Sequence, residues 1–419
     1  MFQASLAFAV IMVILIIGSV LAKKFKIPMA VLLLFTAIVA ALVGGFGFPL
    51  RYFVEGSQKF LMLMLMVASG MLLMGVLKAN GTLNALTHLI VRTFHKAPTL
   101  MLILLMLLIM LPAMLSGSAP ASVLSTGVLV APILLKLKIP KIETAAIIAM
   151  GSLFGMIAPP INVPAMLIGT GVYMPYEGFT IPLIILTFPL SIFSVIWLGR
   201  RFIGVINRDE ILADIPLDPI ISKRGWIIYL PLGFVICLMI LKSYFPQIDP
   251  GTAMVFFLGT IMAIFTGKKI NFLRVARETM TGAVEVLALF AAVGVLIQVM
   301  TMTGARGLMV VAALGLTGTM LSFSAAIASP IIGGLLMPFG AAAVIGIPFV
   351  MAYADRDAIW VTSALTLLIG VGALVPPTAL SGLFAAQVLK LENYTDLLKK
   401  CALPAILALA AGVAVLILI

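Results

Sequence analysis

Charged side chains are scarce in this sequence. Of its 419 residues, only 10% are Asp, Glu, Lys or Arg, whereas 63% are hydrophobic and the mean hydropathy is +1.29. A soluble domain cannot remove so much apolar surface from water, so the composition excludes an ordinary globular protein and predicts a membrane protein. Because a helix needs about 20 apolar residues to cross a bilayer, the chain has room for roughly ten crossings.

Residues that bind transition metals are also few. The chain has two cysteines, Cys237 and Cys401, and two histidines, His88 and His95. The cysteines lie far apart in apolar runs, which argues against a disulfide framework or a metal site. The sequence contains no H-E-x-x-H motif and no phosphate-binding P-loop. We therefore predict no enzyme activity, no cofactor and no transition-metal site.

Acidic residues number only 14 against 26 basic ones, which gives a net charge of +12. In a soluble protein this excess would point to nucleic acid. In a membrane protein it is explained by Lys and Arg in cytoplasmic loops, so we predict a bilayer environment and no nucleic-acid partner. The basic clusters at 136–141, 200–224 and 268–277 are then cytoplasmic. Lys59, Arg306 and both termini are then external.

Apolar runs and polar breaks divide the chain into two halves. The first half is predicted to cross the membrane an odd number of times, so the second half has the opposite orientation in the membrane. This predicts an all-α polytopic protein built from two inverted repeats. The predicted first repeat, 1–199, contains scaffold helices 1–77, an interfacial helix 78–97, a re-entrant hairpin 99–137, a broken helix 142–171 and a closing helix 180–199. After a cytoplasmic linker, 200–225, the second repeat, 226–419, contains scaffold helices 226–300, a hairpin 307–347, a broken helix 357–387 and a last helix 402–419.

A Gly-x-x-x-Pro-Pro motif occurs once in each half, beginning at Gly155 and at Gly372. A polar side chain follows each copy. The shift that superimposes the two copies also brings the first three crossings of the two halves close to alignment. The candidate binding residues at the two motifs are Gly155, Pro159, Pro160 and Asn162 in the first half and Gly372, Pro376, Pro377 and Thr378 in the second.

Serine-bearing stretches precede both motifs, as S-G-S-A from Ser116 and S-F-S-A from Ser322. Pro132 follows the first stretch at the same spacing as Pro338 follows the second. We predict that the two hairpins turn at these serines and present side-chain oxygens there. The predicted tip residues are Ser116, Gly117 and Ser118 in the first hairpin and Ser322 and Ser324 in the second.

The Pro-Pro pairs are the reason why we expect the residues of the two motifs to bind a ligand. Proline lacks an N–H and clashes with the preceding turn, so the helix must break and leave backbone groups without partners. In transporters such groups bind coupling ions and substrate, because helix N-termini favour anions and unwound carbonyls favour cations. The alternative is a simple kink, since proline is common in membrane helices. A matching break in each half favours a binding site.

The residues around the breaks resemble a known transporter family. In the first half, the stretch SGSAPAS, a basic connector and GMIAPPIN are similar to the large membrane subunit of TRAP (tripartite ATP-independent periplasmic) transporters, the DctM type. In the second half, GALVPPT, a short polar loop and a proline that opens the last helix resemble the C-terminal signature of the same family. The likeness is specific at these two places and elsewhere rests on hydrophobic topology.

That resemblance implies the fold of the ion transporter superfamily and an elevator mechanism, in which hairpins and broken helices move as a transport domain against a scaffold. It implies a permease in a bacterial inner membrane that takes up a small organic acid by sodium symport. It further implies a periplasmic substrate-binding protein and a separate small membrane subunit as partners. Through the motifs, it implies that the tip and Pro-Pro residues named above hold Na⁺ and substrate.

The sequence departs from the family at one point and leaves alternatives open. Family members often carry an aspartate near the position of Ser324, but no acidic residue occurs here between Glu285 and Asp355, so coupling to sodium or to protons stays open. The chain could also be a stand-alone ion-coupled carrier without a binding protein or, more remotely, a non-transporting scaffold or embedded enzyme. Arg306 is either a contact for an anionic substrate or an ordinary loop charge. Glu285 is either a functional intramembrane acid or a partner of the arginines before it.

Overall fold

The computed structural model describes residues 2–203, 224–245, 247 and 249–419 of the chain. Within these ranges the regular structure is entirely helical, without strands. Nine helices in the described part of the chain are long and apolar enough to cross a membrane. This confirms the prediction of an all-α, multi-pass membrane protein. Most of the predicted linker, 204–223, lies outside the described residues.

The helices fall at the following positions. In the first half they are α1 (Phe2–Phe25), α2 (Met29–Val43), α3 (Leu50–Gln58), α4 (Leu61–Ala79), α5 (Thr82–Phe94), α6 (Pro98–Ser116), α7 (Ala119–Ser122), α8 (Val128–Lys136), α9 (Lys141–Ile157), α10 (Val163–Gly171) and α11 (Thr180–Gly199). In the second half they are α12 (Leu230–Tyr244), α13 (Thr252–Thr266), α14 (Phe272–Met302), α15 (Ala305–Leu314), α16 (Gly318–Ala341), α17 (Ile347–Ala352), α18 (Ala358–Val371), α19 (Leu380–Val388) and α20 (Tyr394–Leu418).

The helices α1–α4 and α12–α14 pack mainly on one another, and we call them the frame. The long helix α14 lies against α2, α3 and α4, and α13 lies against α4. Two of these helices cross closely at Gly56 of α3 and Gly294 of α14, where a Cβ on Gly294 would overlap the carbonyl oxygen of Gly56. Two backbones can approach this closely only because neither residue has a side chain at the crossing.

The remaining long elements form a second group, α6–α11 and α16–α20, which we call the central body. Helix α9 is buried along nearly its whole length and contacts α6, α11, α19 and α20. Helix α18 contacts α10, α16 and α20. Because α9 and α18 come from different halves and each touches helices of the other, the two halves interlock in this body.

The first hairpin runs from α6 to α8 and turns where the sequence predicts. Gly117 has a φ of 67°, a left-handed conformation that glycine adopts without strain. The hydroxyl of Ser118 then accepts a hydrogen bond from Ala121 at the start of the returning arm. The arms are antiparallel, because the hydroxyls of Ser122 and Thr126 both donate to the carbonyl of a single α6 residue.

The second hairpin does not turn at the predicted serines. Ser322 and Ser324 lie in the first turns of α16, which continues as a helix to a sharp kink at Met337 (φ 62°, ψ 159°). The hydroxyl of Ser322 is 2.9 Å from that of Tyr353, so the chain comes back antiparallel after Met337. The prediction of a tip at Ser322–Ser324 is therefore wrong. Ser322 lies about four helical turns before the kink, or about 22 Å along a helix.

The predicted limits of the second hairpin, 307–347, are also wrong. The run assigned to its first arm is a separate helix, α15, and the hairpin itself comprises α16, a π-helical segment at Ala342–Gly346 and α17. Helix α15 follows a left-handed glycine, Gly304, as α5 follows Gly81. The second half thus has its own short helix before the hairpin, at a place where the apolar sequence gave no boundary.

Candidate functional site

The first Pro-Pro pair interrupts a helix, as the sequence predicts. Helix α9 ends at Ile157 and α10 begins at Val163. Between them the backbone is extended at Ala158, and the peptide between Pro159 and Pro160 is cis. Because neither proline can donate a hydrogen bond, the end of α9 and the start of α10 need partners from elsewhere.

Asn162 supplies several of those partners. Its side-chain oxygen caps α10 by accepting from the N–H of Ala165 at 3.0 Å. Its Nδ2 donates to the carbonyl of Ile157 at 2.8 Å and to the hydroxyl of Thr366 at 3.1 Å. Its own N–H donates to the hydroxyl of Tyr176 at 3.2 Å. The fully buried amide therefore closes the break and links it to α18.

The tip of the first hairpin lies directly against this break. The N–H of Ile161 donates to the carbonyl of Met114 at 3.2 Å. A Cβ on Gly117 would overlap the side chain of Val163, and a Cβ on Gly155 would lie 2.5 Å from a backbone oxygen of α6. The predicted residues of the first set, Ser116, Gly117, Ser118, Gly155, Pro159, Pro160 and Asn162, are thus brought together.

The second Pro-Pro pair repeats the arrangement. Helix α18 ends at Val371, one tight turn covers Gly372–Leu374, and α19 begins at Leu380. The peptide between Pro376 and Pro377 is cis, like its counterpart in the first half. Both breaks therefore consist of an extended proline segment between two buried helical arms.

The second tip packs on the second break through glycines. The N–H and the hydroxyl of Thr378 both donate to the carbonyl of Gly334, at 3.0 and 2.8 Å. A Cβ on Gly372 would lie 2.6 Å from the Cα of Gly333, so α16 and the tight turn meet backbone to backbone. Gly372, Pro376, Pro377 and Thr378 are thus brought together, but with Gly333 and Gly334 rather than with Ser322 and Ser324.

The two sites correspond at a nearly constant shift along the chain. Ile161 and Thr378, whose N–H groups bind the hairpins, are related by the same shift as the two Pro-Pro motifs. Almost the same shift relates the prolines just after the two turns, Pro120 and Pro338, and the π-helical segments Val123–Gly127 and Ala342–Gly346. The predicted pairing of Ser116 with Ser322 is wrong, because Ser116 lies at a tip and Ser322 lies near the start of α16.

Each second arm packs on the hairpin of the other half. A Cβ on Gly346 would lie 2.6 Å from the side chain of Ile168 in α10, and α19 contacts the π-helical segment of the first hairpin. A π-helical turn leaves local carbonyls without their usual helical partners. The breaks, tips and π segments of both halves therefore lie side by side within the central body.

A tyrosine hydroxyl reaches each break, and sequence analysis missed both. Tyr176 accepts from the N–H of Asn162, and Tyr394 donates to the carbonyl of Leu374. The shift from Tyr176 to Tyr394 matches that of the Pro-Pro motifs to within one position, so the repeat itself was a signal that could have found them. Burial raises the pKa of Tyr176, which lies in the loop after α10, so its hydroxyl stays protonated and neutral.

The two breaks, 158–162 and 375–379, contain no Asp, Glu, His, Lys or Arg. Their polar atoms are carbonyl, hydroxyl and amide groups, the ligand type preferred by hard cations such as Na⁺. In the described ranges, no three His, Cys, Asp or Glu side chains come close enough to hold a metal ion together. Glu285 is exposed on the surface of α14, and Arg274 pairs with Glu278. The oxygen donors at the two breaks are therefore of the type that hard cations prefer.

A buried charge network lies at the base of the first broken helix. Glu143, in the first turn of α9, is 5% exposed and pairs with Lys400 of α20 at 2.8 Å and with Arg201 at 3.5 Å. The first turn of a helix also favours an acidic side chain. The network ties α9, α20 and the end of α11 together on the side of the central body away from the tips.

Comparisons with known proteins agree with this architecture. The family model described as "Tripartite ATP-independent periplasmic transporter, DctM component" matches residues 109–419, which include both hairpin tips and both breaks. No curated protein matches the chain. The crystal structure of the Alcanivorax borkumensis YdaH transporter, reported to have an unusual topology, is similar with a TM-score of 0.60. The alignment covers 88% of this chain and 87% of that one at 15% identity, a likeness of fold alone.

Proposed function

Because this chain belongs to the DctM family of tripartite ATP-independent periplasmic transporters, we propose that it is the large permease subunit of a sodium-coupled importer of small organic acids. A small membrane subunit and a periplasmic substrate-binding protein would complete the importer. The observation that carries this proposal is the pair of broken helices, each closed by a hairpin tip and lined only with neutral oxygen and nitrogen groups. Such broken helices bind ions and substrates in secondary transporters.

Each break offers two kinds of backbone group, carbonyl oxygens for a cation and helix N-termini for an anion. Carbonyls that the breaks leave without helical partners at the ends of α9 and α18 suit a sodium ion, and the N-termini of α10 and α19 favour a carboxylate. The proposed ligands are backbone oxygens at Pro159, Pro160, Pro376 and Pro377, with the hydroxyls of Ser116 and Thr378. Asn162 acts mainly by bonding to both sides of the first break and so keeping the break in one conformation.

The proposed topology places both termini on the periplasmic side of the inner membrane. Lys59 and Arg306, both predicted to be external, lie near each other, and Arg201 of the predicted cytoplasmic cluster 200–224 lies in a separate ion-pair network. Cysteines placed at Lys138 and Arg306 should then label from opposite faces of the membrane in intact cells. Labelling from one face would refute the inverted arrangement of the two halves.

The proposed elevator movement requires the central body to slide along the frame. Helix α4 of the frame meets the first hairpin at Gly70, where a Cβ would overlap the carbonyl oxygen of Leu115. Lys78 at the end of α4 donates to the carbonyl of Leu124 in the π-helical segment at 3.0 Å. The hydrogen bond of Lys78 can be exchanged for another when the central body moves, whereas the frame helices are held by their own apolar packing.

Uptake into proteoliposomes tests the function. The chain would be reconstituted with a panel of radiolabelled carboxylates under an inward sodium gradient, with and without a candidate small subunit and any binding protein encoded beside it. Sodium-dependent uptake only with both partners supports the proposal. Uptake by the chain alone would instead identify a stand-alone carrier, and uptake driven only by a proton gradient would change the coupling ion. No uptake under any gradient would contradict a transport function.

A further inference from the structure

Two cationic side chains meet at the seam between the frame and the central body, away from both breaks. Lys59 lies between α3 and α4, and Arg306 is the second residue of α15. Tyr173, at the end of the α10 arm, lies with its ring 5.9 Å from the Lys59 ammonium group. Neither cation belongs to the sites described above, so their proximity requires its own explanation.

Arg306 is held in place but only partly satisfied. One Nη2 hydrogen bond of 3.0 Å goes to the carbonyl of Gly171 at the end of α10, and the same nitrogen is 3.2 Å from the sulfur of Met351. The Nε of Arg306 is buried and has no hydrogen-bond partner among the described residues. A buried guanidinium N–H without an acceptor is costly, so an acceptor from outside the chain would be favoured there.

Lys59 reinforces the positive potential at this point. The side chain is partly buried, and its pKa is lowered first by that burial and then by the nearby charge of Arg306. Two like charges in a partly desolvated site repel each other, and a bound anion would relieve the repulsion.

No acidic side chain neutralises either cation within the described ranges. The nearest acid in sequence, Glu55, pairs instead with Arg51 at 2.7 Å on the exposed face of α3. Glu177, in the loop after α10, is exposed to solvent. Lys242, a comparable half-buried lysine, has its own partner in Asp249. Unlike Arg51 and Lys242, Lys59 and Arg306 therefore have no carboxylate partner within the described ranges.

We propose that Lys59 and Arg306 form an oxyanion-binding site, which accepts either the phosphate of an anionic lipid headgroup or the carboxylate of a soluble acid. The planar guanidinium presents its free Nε–H and a second N–H in the fork geometry that matches carboxylate and phosphate oxygens. Lys59 adds a second positive charge close by. The inference rests on these contacts and does not depend on transport by the Pro-Pro sites.

Two binding measurements on the purified full-length chain distinguish the two sources. Native mass spectrometry compares retention of phosphatidylglycerol with that of phosphatidylcholine. Thermal melting compares succinate with chloride at constant ionic strength. The variants are Lys59→Gln and Arg306→Gln, and the matched control is Arg51→Gln, which removes one positive charge from the same region but leaves the proposed site intact.

The expected result is selective binding of one anion by the wild type and by Arg51→Gln. Each site variant should weaken that binding about tenfold, the effect of one charge-assisted hydrogen bond. Phosphatidylglycerol selectivity that succinate does not disturb identifies a headgroup site, and stabilisation by succinate identifies a soluble carboxylate. If both site variants match Arg51→Gln in both measurements, the proposal is wrong.

A second measurement uses only the wild type and serves if the variants fail to fold. An amine-acylating reagent modifies Lys59 and Lys242 in the same sample, and mass spectrometry gives both rates. A bound oxyanion should slow modification of Lys59 severalfold, because it covers the amine and raises its lowered pKa, while Lys242 is unchanged. Equal rates for Lys59 with and without phosphatidylglycerol or succinate would also overturn the proposal.

Discussion

The side-chain amide of Asn162 donates a hydrogen bond of 3.1 Å to the hydroxyl of Thr366, a residue of the other half. Both groups are fully buried. The bond joins the first break to the first arm of the second broken helix, so the two halves cannot change shape independently at this point. In the repeat, Asn162 corresponds to Ala379 and Thr366 corresponds to Ala149. Two alanines cannot form a side-chain hydrogen bond, so the second break has no matching link.

Thr366→Val should lower the free energy of unfolding by about 1 kcal/mol, the usual net value of a buried hydrogen bond. The substitution conserves shape but removes the acceptor for Asn162 and a donor to the carbonyl of Ser363. Thermal melting in detergent measures the change. Thr362→Val is the matched control, because its buried hydroxyl has no partner among the described residues, and it should be neutral or stabilising. Equal losses for both variants would contradict a specific role for Thr366.

Asn162→Asp should be more damaging than Asn162→Ser, although aspartate is the closer match in size. Aspartate can still cap α10 at Ala165, but it cannot donate to the carbonyl of Ile157, which would then face a carboxylate oxygen. We expect a loss of about 2–3 kcal/mol for Asp and about 1 kcal/mol for Ser. Melting curves at neutral pH give the order. The reverse order would mean that Asn162 does not bridge the two arms.

Glu143→Gln should destabilise the central body by about 1–3 kcal/mol, because it leaves Lys400 and Arg201 without their shared carboxylate. The expected loss stays at the low end for a buried pair because both cations are partly exposed to solvent. Glu278→Gln is the control, since its pair with Arg274 is exposed on both sides and should contribute at most about 1 kcal/mol. Similar melting temperatures for the two variants would show that the buried network adds nothing.

Gly70→Ala should disturb the seam between the frame and the first hairpin. The new methyl group would overlap a backbone oxygen at Leu115, which cannot rotate away, so we expect a loss of about 1–3 kcal/mol or a displaced central body. Gly282→Ala is the control, because its Cβ would meet open space in the middle of α14, where alanine is the better helix former. Proteolysis and cross-linking from α4 to α6 report the displacement. Wild-type behaviour of Gly70→Ala would mean that the two helices are not in contact in the membrane.

The sequence was sufficient where a pattern of residues has one structural outcome. Two consecutive prolines remove two neighbouring N–H donors, and the helices end at Pro159–Pro160 and Pro376–Pro377, whereas single prolines such as Pro112 and Pro189 lie inside helices that continue. Gly117 marked the first tip for a similar reason, since a left-handed turn favours glycine. These positions and the all-α class followed without any knowledge of contacts.

The second tip could not be found in the same way. Met337 adopts a left-handed φ that costs a side-chain-bearing residue about 1–2 kcal/mol, and neighbouring packing must stabilise it. Serine is compatible with a tip, a cap or a helix interior, so Ser322 and Ser324 carried no unique signal. The contact of Thr366 with the first break was hidden for another reason: it joins residues 204 apart in sequence.

The crossing of Gly56 and Gly294 has a practical consequence for any study of motion in this protein. The two backbones touch here and no side chain lies between them, so we expect this crossing to keep its geometry when the central body moves. Labels placed on α3 and α14 beside this point should keep one separation throughout a transport cycle. This pair of labels would serve as an internal reference, against which displacements of labels on the hairpin tips can be measured in ångströms.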